Sequence, residues 1–193
     1  MNSVRIGFAG KMYTGKDTCA DLWLNHFLIY ASHHPEYKAP VRRLAFATKL
    51  KDICRELLRL DTIDLYSPDG KKRFNPRYGK TCRQLMQDVG EGMRTAVHPD
   101  IWVFALEDKI NELLQKDGNS NLLVTDIRYY NELQMLKRFD FTLIKLVRDT
   151  GVKDNHSSEQ ELDDELFDYV VENNGTIAEL EAKLLLLPEY QFD

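Results

Sequence analysis

The chain has 193 residues, of which 43% are hydrophobic and 30% are charged, and its formal net charge is −5. These values predict one soluble globular domain over 1–193, and the acidic balance argues against stable nucleic-acid binding, which needs a basic face. No apolar run is long enough to cross a membrane, so no membrane association is expected. The three cysteines lie far apart and form no CxxC pair, which favours reduced thiols in a cytoplasm.

A glycine-rich loop between the first predicted strand and the first predicted helix is the most informative feature. The strand, 4–9, is apolar, and a helical pattern begins at Lys16. Between them runs Gly-x4-Gly-Lys, in which Gly10 and Gly15 allow backbone angles that turn successive N–H groups toward an anion. Lys16 adds a cation for the β- and γ-phosphates of a nucleotide. An accidental glycine-rich turn is the alternative, but the strand and helix on either side favour phosphate binding.

This loop predicts an ATP site with magnesium. The predicted nucleotide-binding residues are Gly10, Lys11, Thr14, Gly15, Lys16, Asp17 and Thr18. Asp17 stands where Ser or Thr usually ligates the metal, and the hydroxyl follows one residue later. We predict Thr18, Asp17 and Asp126 as ligands of Mg²⁺, although Asp17 could instead favour the helix N-terminus through its charge.

The second predicted strand, 41–47, leads into a helix that Thr48 could cap. The apolar face of that helix would consist of Leu50, Ile53, Cys54, Leu57 and Leu58. Lys49 lies in the first turn, where basic residues are unusual. It is a candidate contact for an anionic substrate, and the alternative is a solvated side chain.

The segment 62–80 differs from its surroundings, because 67–70 is typical of a turn and Asn75 precedes a proline. We predict that it is a mobile, substrate-covering insertion. Helices are predicted at 81–89 and 99–114. Five of their residues could form a pocket for a base and its phosphate: Arg83, Gln87, Arg94, Asp100 and Trp102. For each of them the alternative is a solvated helix face or, for the tryptophan, a place in the core.

Strands are next predicted at 122–126, 141–147 and 167–171, and helices at 131–138 and after Thr176, which forms a capping box with Glu179. The alternation of strands and helices predicts an α/β fold with a mainly parallel sheet.

Three side chains at the ends of these later strands could serve phosphate chemistry. Asp126 ends a strand at the sheet edge where ligands gather, so it is predicted to hold metal-bound water. The planar guanidinium of Arg128 suits a second phosphate. Arg148 opens a polar loop, 148–158, that could close over the transferring phosphates, and His156 within it is more typical of an exposed loop histidine than of a catalyst.

With these residues in hand, the chain resembles the deoxynucleoside monophosphate kinases encoded by bacteriophages. The resemblance covers nearly the whole length and rests on Gly-Lys-Met-Tyr-Thr-Gly-Lys-Asp-Thr at 10–18, Phe-Ala-Thr-Lys-Leu-Lys at 46–51, Arg-Gln-Leu-Met-Gln at 83–87, Pro-Asp-Ile-Trp-Val at 99–103, Thr-Asp-Ile-Arg at 125–128 with Asn-Glu at 131–132, and His-Ser-Ser-Glu at 156–159. It implies a P-loop, NMP-kinase-like fold with a five-stranded parallel sheet flanked by helices.

The activity that the resemblance implies is transfer of the ATP γ-phosphoryl group to a deoxynucleoside monophosphate (dNMP), with Mg²⁺. Lys16 would hold the donor phosphates, and Arg83 and Arg128 would lie near the acceptor. We take Lys16, Asp126, Arg128 and Arg148 as the catalytic set. The loop 148–158 departs from the wider superfamily, because Arg148 is its one arginine where many relatives have several.

Two rival functions stay open at the level of sequence. One is a P-loop kinase of another phosphorylated small molecule, of the phosphomevalonate or dephospho-coenzyme A type. The other is a nucleotide-switch binding protein, which is weakened because the sequence has no Asn-Lys-x-Asp guanine-reading motif. Oligomeric state is also open, although such folds are commonly homodimers.

Overall fold

A computed structural model describes residues 3–35, 39–149 and 162–192. Most of the predicted loop 148–158, including His156, therefore lies outside the described residues. The helices and strands, in chain order, are β1 (Arg5–Ala9), α1 (Lys16–His33), β2 (Val41–Leu44), α2 (Ala47–Leu58), α3 (Thr62–Tyr66), α4 (Pro68–Lys72), β3 (Phe74–Asn75), β4 (Lys80–Thr81), α5 (Cys82–Ala96), α6 (Ile101–Lys116), β5 (Asn121–Ile127), α7 (Tyr130–Arg138), β6 (Thr142–Val147), β7 (Tyr169–Glu172) and α8 (Ile177–Leu184).

Five of the strands form one parallel sheet in the order β2-β5-β1-β6-β7. The first strand in the chain is thus the central one, with β5 and β6 as its neighbours. Because the strands are parallel, the loops that follow β1, β5 and β6 all leave from the same edge of the sheet. This architecture confirms the predicted α/β fold with a five-stranded parallel sheet flanked by helices.

The described chain divides into two compact units, one formed by residues up to Ala45 with those from Lys109 onward, the other by Phe46–Asp108. The sheet belongs to the first unit. Ile6 and Phe8 of β1 point to a face that packs against α1 and α8. Gly7 points to the other face, where a side chain at this position would meet residues of β5, β6 and α7.

The last described residues of the chain pack against α1 within the first unit. The indole nitrogen of Trp23 donates to the Glu189 carbonyl at 2.7 Å, and the Tyr190 hydroxyl donates to the Cys19 carbonyl at 2.9 Å. Trp23 is fully buried and also packs on Phe27 and Phe192. The helix that starts at the glycine-rich loop is therefore held at Cys19, Trp23 and Phe27.

Several predicted boundaries were wrong by a few residues. The second strand ends at Leu44, and α2 begins at Ala47 with Phe46 before it, so Thr48 lies inside the helix instead of capping it. Leu57 is 69% exposed and is not part of the buried face of α2. Helix α5 continues to Ala96, well past the predicted end at 89.

In the second unit, the segment 62–80 contains two short helices and a hairpin. The residues 67–70 do not form a simple turn: the Ser67 hydroxyl accepts from the Gly70 N–H at 2.8 Å and so caps α4. Arg73 forms ion pairs with Asp64 at 2.9 Å and with Asp61 at 3.4 Å, which link the start of α3 to the end of α4. Whether this segment moves or covers a substrate stays a prediction.

Among the residues that the structure describes, no helix combines the length and the apolar character needed to span a membrane.

The packing of Gly70 generates a stability prediction. A Cβ at this position would overlap the carbonyl of Ile63, which is backbone and cannot rotate away. Gly70→Ala should therefore lower the free energy of unfolding by about 2 to 3 kcal/mol, measured by chemical denaturation. Gly92→Ala is the matched control, because a Cβ there meets nothing within 4 Å and alanine favours a helix over glycine, so stability should stay equal or rise. Equal stability of the two variants would contradict this packing.

Candidate functional site

The glycine-rich loop adopts left-handed backbone conformations at three positions. The φ angles are 141° at Gly10, 66° at Tyr13 and 100° at Gly15. A Cβ at Gly10 would also lie 2.5 Å from the Leu146 carbonyl oxygen, so both conformation and space require glycine there. The sequence pattern predicted the two glycines, whereas nothing in it marked Tyr13.

The inner side of the loop is fixed by Thr14. Its hydroxyl donates to the Lys11 carbonyl at 2.9 Å, and its own carbonyl accepts from the Asn173 side-chain amide at 2.9 Å. Asn173 is only 5% exposed, and it follows β7, where its backbone N–H donates to the Val147 carbonyl at 2.8 Å. Sequence reasoning missed Asn173, because its contact with the loop depends on a neighbour far along the chain.

Lys16, the first residue of α1, carries its ammonium back over the loop. Its Nζ donates to the carbonyls of Gly10 and Lys11, both at 2.7 Å. The charge therefore lies at the loop, together with the N-terminal end of an 18-residue helix. A lysine, a helix N-terminus and left-handed glycines are the components of a phosphate-binding loop.

Asp17 lies in the first turn of α1 and contacts two strands. Its Oδ1 accepts from the Thr125 hydroxyl at 2.9 Å and from Nη2 of Arg43 at 2.8 Å. The other guanidinium nitrogen, Nη1, donates to Asp21 at 2.5 Å, one helical turn further along. Neither Arg43 nor Thr125 was among the predicted site residues, and Thr125 appeared only within the motif at 125–128. The spacing of Asp17 and Asp21 on one helix face was the available signal.

Asp126 lies near the carboxyl end of β5, which continues one residue further than predicted, to Ile127. Ile127 is the register partner of Ala9, the last residue of β1, so Asp126 sits beside the start of the glycine-rich loop. Thr18 in the first turn of α1 and Asp126 both offer oxygen atoms, the donors that Mg²⁺ prefers. Within the described ranges there is no group of three or more His, Cys, Asp or Glu side chains that could hold a metal.

Arg128 follows β5 in a loop that a buried carboxylate organises. Glu132, only 1% exposed, accepts from the backbone N–H groups of Arg128 at 2.8 Å and of Tyr129 at 3.2 Å. Sequence reasoning noted Glu132 without giving it this role. Arg128 itself is half-buried, and Arg148, just after β6, is exposed.

The remaining predicted site residues belong to the second unit. Arg83 and Gln87 are half-buried, one turn apart on α5, and Lys49 is exposed on α2. Nη1 of Arg94 donates to the carbonyl of Pro99 at 3.5 Å. The backbone N–H of Asp100, the next residue, donates to Nδ1 of His98 at 3.0 Å. Trp102 is 3% exposed.

The burial of Trp102 limits what it could offer a ligand. Its indole N–H donates to the Gly90 carbonyl at 3.0 Å, so its one hydrogen-bond donor is used within the unit. This arrangement agrees with the alternative of a core tryptophan.

The three cysteines are core residues and not exposed thiols. All three are buried and free. Burial raises the pKa of the Cys19 thiol to about 12 and that of Cys54 to about 11, so both stay protonated at neutral pH. Cys19, next to Thr18 in the chain, is part of the core.

The contact between Asn173 and the loop predicts a local loss on mutation. Asn173→Ala leaves the Thr14 carbonyl buried without this donor, which should lower the free energy of unfolding by about 1 to 3 kcal/mol. Asn174→Ala is the control, because Asn174 is exposed and accepts instead from the Asp149 N–H. Thermal unfolding of both variants measures the difference, and a larger loss for the Asn174 variant would contradict the assigned contact.

Comparisons with known proteins agree on one family. Residues 70–184 match the family described as "Deoxynucleotide monophosphate kinase". The chain is also 26% identical, over 195 aligned positions and 94% of each sequence, to a protein of Acanthamoeba polyphaga mimivirus named "Putative deoxynucleotide monophosphate kinase". The family match spans more than half of the chain, and it includes α5, β5 and the loop that carries Arg128. The chain belongs to the deoxynucleotide monophosphate kinase family.

Proposed function

We propose that this protein transfers the γ-phosphoryl group of ATP to a deoxynucleoside monophosphate, giving ADP and the deoxynucleoside diphosphate. The observation that carries the proposal is the glycine-rich loop before α1, with the Lys16 ammonium held over it at 2.7 Å from two of its carbonyls. Family membership supports the choice of a monophosphate as the acceptor.

On this proposal the donor phosphates bind at the loop. Backbone N–H groups of 10–15 and of the first turn of α1 would face the phosphate oxygens, and Lys16 would move from the loop carbonyls onto the β- and γ-phosphates. The loop is held in shape for this task by Thr14 and Asn173. In phosphoryl transfer the protein forms no covalent bond to the substrates, so most of the rate enhancement comes from positioning the substrates and neutralising their charge.

Thr18 and Asp126 are proposed to hold a magnesium ion beside the donor phosphates. Thr18 would bind it through its hydroxyl, and Asp126 would bind it directly or hold one of its waters. When bound with ATP, Mg²⁺ would neutralise charge on the phosphate oxygens.

The acceptor is proposed to bind through guanidinium groups, which suit phosphate because they form two parallel hydrogen bonds. Arg128, on a loop fixed by Glu132, is the leading candidate, and Arg148 is proposed as a further catalytic cation. In the second unit, Arg83 stays a predicted phosphate contact, and the other predicted substrate contacts are Gln87, Arg94, Asp100 and Lys49. Trp102 would contribute packing, since its N–H already bonds to Gly90.

The proposal predicts ADP formation that depends on a dNMP. A coupled assay of ADP release with each of the four common dNMPs should show turnover with at least one of them. Lys16→Met should reduce it at least 100-fold, because the main cation at the donor phosphates is lost. Lys109→Met is the control, since Lys109 forms an exposed pair with Glu112 and should leave the rate unchanged.

The same assay separates the rivals. Turnover only with phosphomevalonate or dephospho-coenzyme A would assign the protein to another class of small-molecule kinase. Slow hydrolysis that no acceptor accelerates would favour a nucleotide switch. Full activity of the Lys16 variant would contradict the assigned donor site.

Arg128 generates a second prediction about the acceptor. Arg128→Gln should raise the KM for the dNMP at least tenfold and change the KM for ATP much less, since it removes a charge-assisted contact to the acceptor phosphate. Arg138→Gln, at the exposed end of α7, is the control. A selective rise in the KM for ATP would instead place Arg128 on the donor.

A further inference from the structure

We infer that Asp17, Arg43 and Thr125 form a positioning triad that fixes the first turn of α1 for ATP binding, and that Asp17 acts there in place of serving as a magnesium ligand. This inference rests on the proposed function, because the triad would orient the part of α1 that is proposed to bind ATP. None of the three residues needs to touch the substrate.

The triad joins three elements of the sheet unit at one carboxylate oxygen. Asp17 Oδ1 accepts from the Thr125 hydroxyl of β5 at 2.9 Å and from Arg43 Nη2 of β2 at 2.8 Å. Both donors come from the same face of the sheet. Arg43 is the register partner of Leu123, which packs in the core with α1, and Thr125 lies two residues after Leu123.

Asp17 lies at a position where its contacts also orient the neighbouring side chains of the first turn. It lies between Lys16 and Thr18, and successive side chains of a helix are about 100° apart around its axis. Fixing the middle side chain therefore fixes the directions in which the side chains of Lys16 and Thr18 leave the helix. The same turn supplies the backbone N–H groups that have no partner within the helix and are available to phosphate.

The charges argue against Asp17 as a metal ligand. Its Oδ1 already accepts two hydrogen bonds, and the Arg43 guanidinium beside it also contacts Asp21 at 2.5 Å. A dication bound to Asp17 would lie close to this fixed positive charge, which repels it. Thr18 and Asp126 remain as the oxygen donors for Mg²⁺.

The triad should matter more for ligand binding than for stability. The side chains of Asp17 and Arg43 are 78% and 37% exposed, and exposed ion pairs contribute little to folding. Variants should therefore fold, with melting temperatures within about 3 °C of the wild type.

The two possible roles of Asp17, metal ligand and positioning residue, predict different results in a magnesium titration. If Asp17 is a ligand, Asp17→Asn raises the Mg²⁺ concentration needed for ATP binding, whereas Arg43→Gln lowers it by removing a competing cation. If the triad positions α1, both variants weaken binding of Mg·ATP by about 5- to 10-fold, and the half-saturating Mg²⁺ concentration stays the same. Calorimetry with ATP over a range of Mg²⁺ concentrations measures both quantities without requiring turnover.

A double mutant and two control variants complete the test. Asp17→Asn combined with Arg43→Gln should be no weaker than the weaker single variant, since both remove one interaction. Arg42→Gln is matched to Arg43→Gln: Arg42 is the neighbouring residue on β2, 45% exposed, and its partner is Asp117 at 3.5 Å. It should bind Mg·ATP like the wild type. Thr125→Val should weaken binding, and Thr125→Ser, which keeps the hydroxyl, should not.

Three results would overturn the inference: opposite shifts in the Mg²⁺ titration, additive losses in the double mutant, or wild-type ATP binding by both single variants. If Asp17→Asn or Arg43→Gln fails to fold, the two Thr125 variants still test the inference. Equal Mg·ATP binding by Thr125→Val and Thr125→Ser would contradict the triad. Failure of the proposed function is recognised separately: the wild type would then bind Mg·ATP and phosphorylate no dNMP.

Discussion

The parallel alignment of β1 between β5 and β6 is the constraint on which the rest of this site depends. It sends the loops after these strands to one edge of the sheet, so that the glycine-rich loop lies beside Asp126 and Arg128, which follow it by more than 100 residues in sequence. The alignment is held by the burial of alternate side chains on both faces: α1 and α8 cover Ile6 and Phe8, and α7 covers the face of Gly7.

Hydrogen bonds from polar side chains fix the loops and the helix end that the packed sheet brings to this edge. Asn173 fixes the Thr14 carbonyl from beyond β7, Glu132 fixes the backbone of the loop after β5, and Asp17 ties the first turn of α1 to β2 and β5. Each of these groups contacts a loop or a helix end, where backbone groups lack partners in regular structure. The glycine-rich loop, the first turn of α1 and the loop after β5 are therefore each held by a contact that no local sequence pattern predicts.

The sequence was sufficient for features that depend on local pattern. The loop glycines, the start of α1 at Lys16, the capping box at Thr176 and the alternation of strands and helices all follow from spacing and residue type. Asn173, Arg43 and Thr125 were not found, because their roles depend on which distant strands become neighbours. The segment 67–70 was misassigned for a related reason, since a serine before a proline is typical of both a turn and a capped helix.

We expect this chain to move a phosphoryl group between two nucleotides. A decisive test uses ATP labelled in the γ-phosphate, incubated with the protein, Mg²⁺ and each dNMP in turn, with separation of the products. Label should appear in a deoxynucleoside diphosphate, in equal amount to the ADP formed. Label that stays in ATP, or appears only as inorganic phosphate with every acceptor, would contradict it.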